Sequence, residues 1–363
     1  MQDTLLLPKY PPVFFVRITE RMRWFFIRMY RRFTHPNVAL IGMIENLWLA
    51  GAISVASELG IADILKDGKK SIGELAKITG TLEDPLYRVM RALASNDIFK
   101  ESKNKFFTLT PLAAAMQEDQ MKYFINQHLS KIHFQMFGEM LQSVKTGKSY
   151  SELFTKDGLF DHIGESSESN VMFNKAMANT SMMQAAAVLP VFSFAGYKSI
   201  IDIGGGEGYF LSTILSKYKN LKGIVFDLPH VVGYTQEFFK KHGLSDRAEA
   251  VGGSFFELIP PRGDLYMLKN ILHDWDDESS LKILKNIRQI LSKGARLLII
   301  EAVLEEDNNP SFGKMTDLLM MVGMNGRERT KAEFNVLFNK SGLSLIKIYP
   351  TISPLSILVI EIR

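Results

Sequence analysis

The chain has 363 residues, of which 46% are hydrophobic and 23% are charged, and its formal net charge is +4. This composition suits a globular protein of about two domains, and so mild a basic charge does not by itself indicate a nucleic-acid partner. Because the chain has no cysteine, disulfides, thiolate metal sites and a cysteine nucleophile are excluded.

The apolar segments of the sequence favour a cytoplasmic protein. No uninterrupted apolar run approaches the roughly 20 residues that a membrane-spanning helix needs. Arginines break up the apolar N-terminal residues, and no small-residue cleavage site follows them, so a secretory signal is not expected. Together with the lack of cysteine, these features predict a soluble cytoplasmic protein.

Residues 1–35 are predicted to form a basic amphipathic arm. Six arginines lie between Arg17 and Arg32, with Glu20 as the one acid among them. One helical face is apolar: Phe15, Ile18, Met22, Phe25 or Phe26, Met29 and Phe33. The arginines fall largely on the other face. Such a helix can pack on a partner subunit or lie on an anionic membrane surface, and both remain open for residues 13–33.

Residues 36–165 are predicted to form a mainly helical, winged-helix-like dimerisation domain. Ser71 and Glu74 are spaced as a capping box, Pro85 begins another helix, and a hairpin is expected around Asn104. The presumed recognition helix, 83–97, holds two arginines and three acids, which is a poor surface for phosphates. We therefore expect no nucleic-acid binding. The high apolar content of this region indicates a homodimer.

Residues 166–363 are predicted to form an α/β domain. From about residue 196, short apolar strands alternate with helices, a pattern that predicts a Rossmann-like, mostly parallel sheet. The last two strands, at 343–351 and 355–363, are separated by a short turn. They are therefore expected to form an antiparallel pair at one edge.

A glycine cluster lies between the first strand and helix of this domain. Gly204, Gly206 and Gly208 follow Asp202 with a spacing that matches neither the dinucleotide fingerprint nor a P-loop. Asp227 ends the next strand, where a carboxylate can accept hydrogen bonds from ribose hydroxyls. A nucleoside without phosphates is therefore predicted, with S-adenosylmethionine as the leading ligand. A plain strand–helix turn and a helix cap at Asp227 are the alternatives.

Five segments of the chain together resemble one enzyme family. They read "DIGGGEGYF", "VFDLPHVV", "VGGSFFE", "LKNILHDWDDE" and "GRERTKAEF". In this order they are similar to class I S-adenosylmethionine-dependent O-methyltransferases with an N-terminal helical dimerisation domain. That family includes plant caffeic acid and hydroxyindole O-methyltransferases and bacterial enzymes of secondary metabolism. The resemblance spans about residues 38–363 and implies methyl transfer to a hydroxyl of an aromatic or conjugated small molecule by a homodimer.

The resemblance also implies the binding residues. The cofactor would be held by Ser181, Asp202, Gly204, Gly205, Gly206, Gly208, Asp227, Leu228, Ser254, Phe255 and Lys269. Ser254 stands where the family usually has an aspartate, so the adenine amino group would meet a neutral acceptor. The methyl acceptor is expected near Phe173, Met177, Asp274, Met320 and Met324. Plain core packing is an equally good interpretation of the methionines on 320–324.

His273 follows a buried run and is the predicted general base. A phenol, with a pKa of about 10, attacks poorly until its proton is removed, and histidine is suited to this near neutral pH. The resemblance implies that Glu301 and Glu328 orient the imidazole. A strand-end acid and a salt-bridge residue are their respective alternatives. No metal site is expected, and N- or C-methylation is the alternative reaction.

Overall fold

The computed structural model describes residues 11, 13–154, 167–260 and 263–363. They form two compact units. One holds the described parts of Arg21–Gln135 and Ile163–Asn179, and the other those of Met1–Glu20, Met136–His162 and Thr180–Arg363. The expected boundaries after residues 35 and 165 stay predictions.

The N-terminal region is mainly helical. Its helices are α1 (Val13–Phe33), α2 (Pro36–Glu58), α3 (Ile61–Ile64), α4 (Ile72–Thr79), α5 (Glu83–Ala94), α6 (Pro111–Ala114), α7 (Lys122–His128) and α8 (Lys131–Gly138). The strands β1 (Lys70–Ser71), β2 (Phe99–Ser102) and β3 (Phe106–Leu109) form an antiparallel sheet in the order β1–β3–β2. With α4 and α5 this sheet makes the predicted winged-helix-like arrangement.

Local chemistry explains where these elements begin. The predicted capping box is present at α4, where the Ser71 hydroxyl accepts from the Glu74 N–H and the Glu74 carboxylate accepts from the Ser71 N–H. Asn104 takes a left-handed conformation, with φ of 62°, at the tip of the β2–β3 hairpin. These contacts keep α4 and the hairpin beside one apolar core.

Helix α2 is the most apolar long helix among the described residues. It is long and apolar enough to cross a membrane, although Glu45 and Asn46 interrupt its apolar run. Only 11% of its most apolar stretch is buried, and Leu47 and Trp48 are largely exposed. The unpartnered side chains of α2 therefore form an apolar surface on this chain.

The C-terminal region alternates strands and helices. Its helices are α9 (Met140–Thr146), α10 (Tyr150–Phe154), α11 (Ser167–Val188), α12 (Tyr209–Lys217), α13 (Pro229–Lys241), α14 (Asp277–Ile290), α15 (Phe312–Gly323) and α16 (Lys331–Lys340). Its strands are β4 (Ser199–Ile203), β5 (Lys222–Asp227), β6 (Ala248–Gly252), β7 (Leu265–Lys269), β8 (Arg296–Leu304), β9 (Arg329–Thr330), β10 (Leu343–Pro350) and β11 (Leu355–Ile362).

The main sheet has the strand order β10–β11–β8–β7–β4–β5–β6, with the short β9 paired to β8. Strands β4 to β9 pair in parallel, whereas β11 runs antiparallel to both β8 and β10. Two apolar clusters bury the two faces of this sheet, as expected when crossover helices cover a parallel sheet. The predicted α/β fold with an antiparallel edge hairpin is confirmed.

Strand β7 is shorter than the sequence suggests. The apolar run to Leu272 predicts a strand up to that residue, but β7 ends at Lys269. Asn270 has a φ of 53°, a left-handed conformation that an extended strand cannot contain. A short 3₁₀ turn, Leu272–Asp274, follows. The chain therefore turns just before His273.

Candidate active site

The glycine loop follows β4 at the edge where the parallel strands end. Gly204, Gly206 and Gly208 all have φ between 58° and 82°, which favours glycine. A Cβ atom at Gly205 would lie 2.8 Å from the Asp202 carboxylate. The loop is therefore drawn tightly around the end of β4 and leaves bare backbone at Gly206, where a Cβ atom would meet open space.

Asp202 is a buried carboxylate without an internal partner. Among the described residues neither of its oxygens has a hydrogen-bond partner, although its side chain is almost fully buried. Burial raises the pKa of Asp202 to about 7, against the opposing charge of Lys269. A buried acceptor of this kind is expected to be satisfied by a ligand.

Lys269 ends β7 beside this carboxylate. Its Nζ donates to Gln184 Oε1 at 3.1 Å and lies 5.6 Å from the centre of the Phe210 ring. Burial lowers the pKa of Lys269, while the nearby charge of Asp202 opposes that shift. Gln184 on α11 thus helps to hold Lys269, a contact that sequence reasoning did not suggest.

Asp227 joins the end of β5 to the glycine loop. Its Oδ2 accepts from the Gly206 N–H at 2.8 Å, and its Oδ1 accepts from the Leu228 N–H at 2.7 Å. Burial raises the pKa of Asp227, and these two hydrogen bonds oppose the shift. The N-cap residue of α13 is Leu228, which makes no side-chain cap hydrogen bond, and each Asp227 oxygen keeps acceptor capacity for ribose hydroxyls.

The remaining expected cofactor residues are Ser254, Phe255, Leu228 and Ser181. Ser254 Oγ accepts from the Phe256 N–H at 3.2 Å, and the Phe255 ring meets Trp275 edge-on at 6.0 Å between centroids. Leu228 is exposed at the start of α13, and Ser181 is half-buried on α11. These positions leave their expected cofactor roles as predictions.

His273 lies between two carboxylates. Its Nδ1 is 2.9 Å from Glu328 Oε1, and its Nε2 is 3.4 Å from Asp274 Oδ1. The His273 side chain is 13% exposed, whereas that of Glu328 is 2% exposed. A small molecule can therefore approach His273 while Glu328 stays shielded from solvent.

The charge of His273 follows from these neighbours. Burial alone would lower its pKa, but Asp274 and Glu328, with a further contribution from Glu301, outweigh burial and raise it to about 9. Burial raises the pKa of Asp274 to about 6 despite the attraction of His273. At neutral pH this pair is therefore mainly an imidazolium beside a carboxylate.

Glu301 acts on the turn before His273. Fully buried on β8, its Oε1 accepts from the N–H groups of Ile271 and Leu272 at 3.0 and 2.6 Å. Burial raises the pKa of Glu301 to about 7. Its hydrogen bonds hold the backbone that the left-handed Asn270 leaves unpaired, so any influence on His273 passes through that backbone and through charge.

A second loop, 325–329, closes on the His273 turn. The Arg327 N–H donates to the His273 carbonyl at 2.8 Å. A Cβ atom at Gly326 would lie 2.1 Å from that same carbonyl, so only glycine allows this approach. The Glu328 N–H in turn donates to Asp317 Oδ1 at 2.8 Å. The backbone of this loop thus sets the position of the Glu328 carboxylate.

Arg329 is fully buried and ties the two loops together. Its guanidinium donates to the Leu272 carbonyl at 2.8 Å, to the Trp275 carbonyl at 2.9 Å and to Asp277 Oδ1 at 2.9 Å. The sequence did not single out Arg329, because an arginine in a charged segment usually lies on the surface. Gly326, three residues earlier, was the available signal that two backbone segments approach closely here.

The structure can be compared with the prediction for only some of the expected substrate residues. Met320 is buried on α15, which favours packing for that residue, whereas Met324 and Asp274 are half-buried. Met177 belongs to the other compact unit, and the side chain of Phe173 lies outside the described residues. Within the described ranges, no group of three His, Asp or Glu side chains could hold a metal ion.

Comparison with known proteins places two family domains on the chain. The profile of the O-methyltransferase domain matches residues 134–344, and that of the O-methyltransferase dimerisation domain matches residues 42–119. The second match begins within α2, so it includes Leu47 and Trp48 of the exposed apolar surface.

Individual relatives match over nearly the whole chain. A phenazine O-methyltransferase, PhzM, of Lysobacter antibioticus is 39% identical over 88% of this chain and 94% of its own. The crystal structure of LaPhzM matches with a TM-score of 0.86 and 37% identity over 91% of this chain and all of that one. CalO1, a methyltransferase of calicheamicin biosynthesis, was solved with S-adenosylhomocysteine bound. Its structure matches with a TM-score of 0.80 and 30% identity over 90% of this chain and 98% of that one.

Proposed function

We propose that His273 is the general base of this chain's methyl transfer. The chain belongs to the S-adenosylmethionine-dependent O-methyltransferases with a dimerisation domain. The acceptor would be a hydroxyl of an aromatic or conjugated small molecule. The observation that carries this proposal is the 2.9 Å contact of His273 Nδ1 with the shielded Glu328 carboxylate, because that contact leaves Nε2 as the nitrogen that can accept a proton.

The described residues fit the cofactor. The Asp202 carboxylate, which lacks an internal partner, suits the ammonium group of S-adenosylmethionine, and the glycine loop offers bare backbone beside it. Asp227 would take the ribose hydroxyls, and Ser254 the adenine amino group. When bound, the cofactor supplies an electrophilic methyl group on its sulfonium.

His273 would take the proton of the acceptor hydroxyl at Nε2. A base at this position is needed because a neutral phenol is a weak nucleophile. In the free enzyme Nε2 faces Asp274, and at neutral pH the raised pKa of His273 keeps both ring nitrogens protonated. The neutral, basic form therefore becomes more abundant as the pH rises toward 9, and an arriving hydroxyl must share Nε2 with Asp274.

Glu328 would fix the tautomer of this base. A carboxylate on Nδ1 keeps that proton in place, leaves Nε2 as the acceptor, and stabilises the imidazolium after proton transfer. Glu301 would act one step further back, by holding the 271–272 backbone from which His273 extends. Both glutamates are positioning residues in this proposal.

Replacement of His273 by glutamine tests the base. We expect methyl transfer to fall by about 10²–10⁴-fold, while calorimetric binding of S-adenosylhomocysteine is unchanged. His242→Gln, directly after α13 and away from this pair, is the matched control and should keep full activity. Activity of His273→Gln within a few-fold of the parent would refute the proposed base.

The substrate class can be narrowed by a panel of hydroxylated polycyclic aromatics. Hydroxyphenazines are the first choice, because the Lysobacter relative is named a phenazine O-methyltransferase. Mass spectrometry would detect the added methyl group, and NMR would assign it to oxygen, nitrogen or carbon. We also propose that the chain works as a homodimer, on the basis of the dimerisation domain at residues 42–119.

A further inference from the structure

Helix α1 carries an aromatic face that remains exposed. No residue of α1 is buried, and seven of its large apolar side chains are between 52% and 77% exposed: Phe14, Phe15, Met22, Phe25, Phe26, Tyr30 and Phe33. Val16, Trp24 and Ile27 are half-buried on the opposite side of the helix, whereas Ile18 and Met29 are half-buried among the exposed rings of the aromatic side. The helix therefore leaves its broad aromatic side in solvent.

Arginines border this aromatic face. Helix α1 contains six arginines and one acid, Glu20. Arg17, Arg21 and Arg32 are exposed and fall along one margin of the aromatic side. Long arginine side chains can keep their charge at the level of lipid phosphates while neighbouring rings enter the headgroup boundary. The charge of α1 thus complements an anionic lipid surface.

Helix α1 also lies outside the residues that match the dimerisation domain. The dimerisation match starts at residue 42, after α1 has ended, and it includes the exposed part of α2. LaPhzM is covered completely by a match that covers 91% of this chain, so part of this chain has no counterpart there. The exposed apolar surface of α2 therefore lies partly within the dimerisation match, whereas α1 lies outside it.

We infer that α1 attaches this enzyme reversibly to anionic lipid surfaces. Phe25, Phe26 and their neighbours on the same face would enter the headgroup boundary, and the bordering arginines would contact lipid phosphates. The inference is independent of the catalytic proposal, because it uses no residue near His273. It would bring the enzyme to the interface where apolar aromatic substrates concentrate.

Sedimentation of the full chain with lipid vesicles tests this inference. The vesicles would be phosphatidylcholine with or without about one third phosphatidylglycerol, at low and high salt. We expect binding to the anionic vesicles that weakens with salt. The double variant Phe25→Ser/Phe26→Ser should bind the anionic vesicles with an affinity at least about tenfold lower. Arg17→Gln/Arg21→Gln should lose about fivefold per arginine.

Two controls make the outcome decisive. Phe312→Ser removes a phenylalanine that is 58% exposed elsewhere, and it should leave vesicle binding unchanged. Sedimentation velocity reports whether the α1 variants still form the same oligomer. The inference fails if the full chain ignores anionic vesicles, or if the Phe25/Phe26 variant binds them as well as the parent does. It also fails if that variant dissociates the oligomer, because the face would then belong to a second copy.

Discussion

Asp274 should control the pH at which His273 becomes a base. Its carboxylate is 3.4 Å from His273 Nε2 and contributes to the raised pKa of about 9. That pKa leaves about one in a hundred His273 side chains neutral at pH 7. Replacing Asp274 by asparagine removes the charge and keeps the shape.

The expected shift can be worked from this contact. An opposite charge at such a distance typically changes a pKa by about 1–3 units. In Asp274→Asn, Glu328 and Glu301 remain, so the pKa of His273 should fall from about 9 to between about 6 and 8. Since the neutral form exists above the pKa, the rising limb of kcat/KM against pH should move to lower pH.

The assay pairs a rate profile with a direct titration. The pH dependence of kcat/KM reports the free enzyme, and NMR titration of the His273 imidazole separates its pKa from that of the substrate. Asp246→Asn, an exposed carboxylate just before β6, is the control and should leave both unchanged. An unshifted imidazole titration in Asp274→Asn would refute the reasoning, whatever the change in turnover.

Two further predictions concern the cofactor pocket and the loop contacts. Because the pKa of Asp202 is raised to about 7, S-adenosylhomocysteine affinity should fall as the pH drops below 7, by up to about tenfold per pH unit. Calorimetry should show this slope in the parent and none in Asp202→Asn, and equal slopes would contradict an ammonium contact. Arg329→Met should lower the free energy of unfolding by about 3–5 kcal/mol and reduce kcat. By contrast, the Arg327 side chain is half-exposed, so Arg327→Met should lower the free energy of unfolding in urea by less than about 1 kcal/mol. Equal losses in the two variants would show that the buried contacts of Arg329 add no stability.

The sequence predicts the fold well because apolar periodicity and turn chemistry are local. The alternation of strands and helices after residue 196 and the short turn before β11 both appear in the structure as expected. The end of β7 was misjudged, because the run to Leu272 stays apolar through a left-handed Asn270. The two residues after Asn270 donate their N–H groups to the distant Glu301 carboxylate, which no local pattern reveals.

The site was predictable in its residue types and less so in its contacts. His273 and Glu328 are 55 residues apart, and their contact emerged from family resemblance rather than from spacing. The buried Arg329 was missed since a charged side chain becomes an interior residue only when backbone carbonyls surround it. Such carbonyls are supplied by folding, and the sequence alone does not display them.

The position of β11 inside the main sheet has a consequence for biosynthesis. This strand, Leu355–Ile362, lies between β10 and β8 although it follows both of them in the chain. During translation the edge of β8 therefore stays unpaired until β11 has been synthesised. An open strand edge invites pairing with other chains, so nascent copies and copies truncated before β11 should be the aggregation-prone forms.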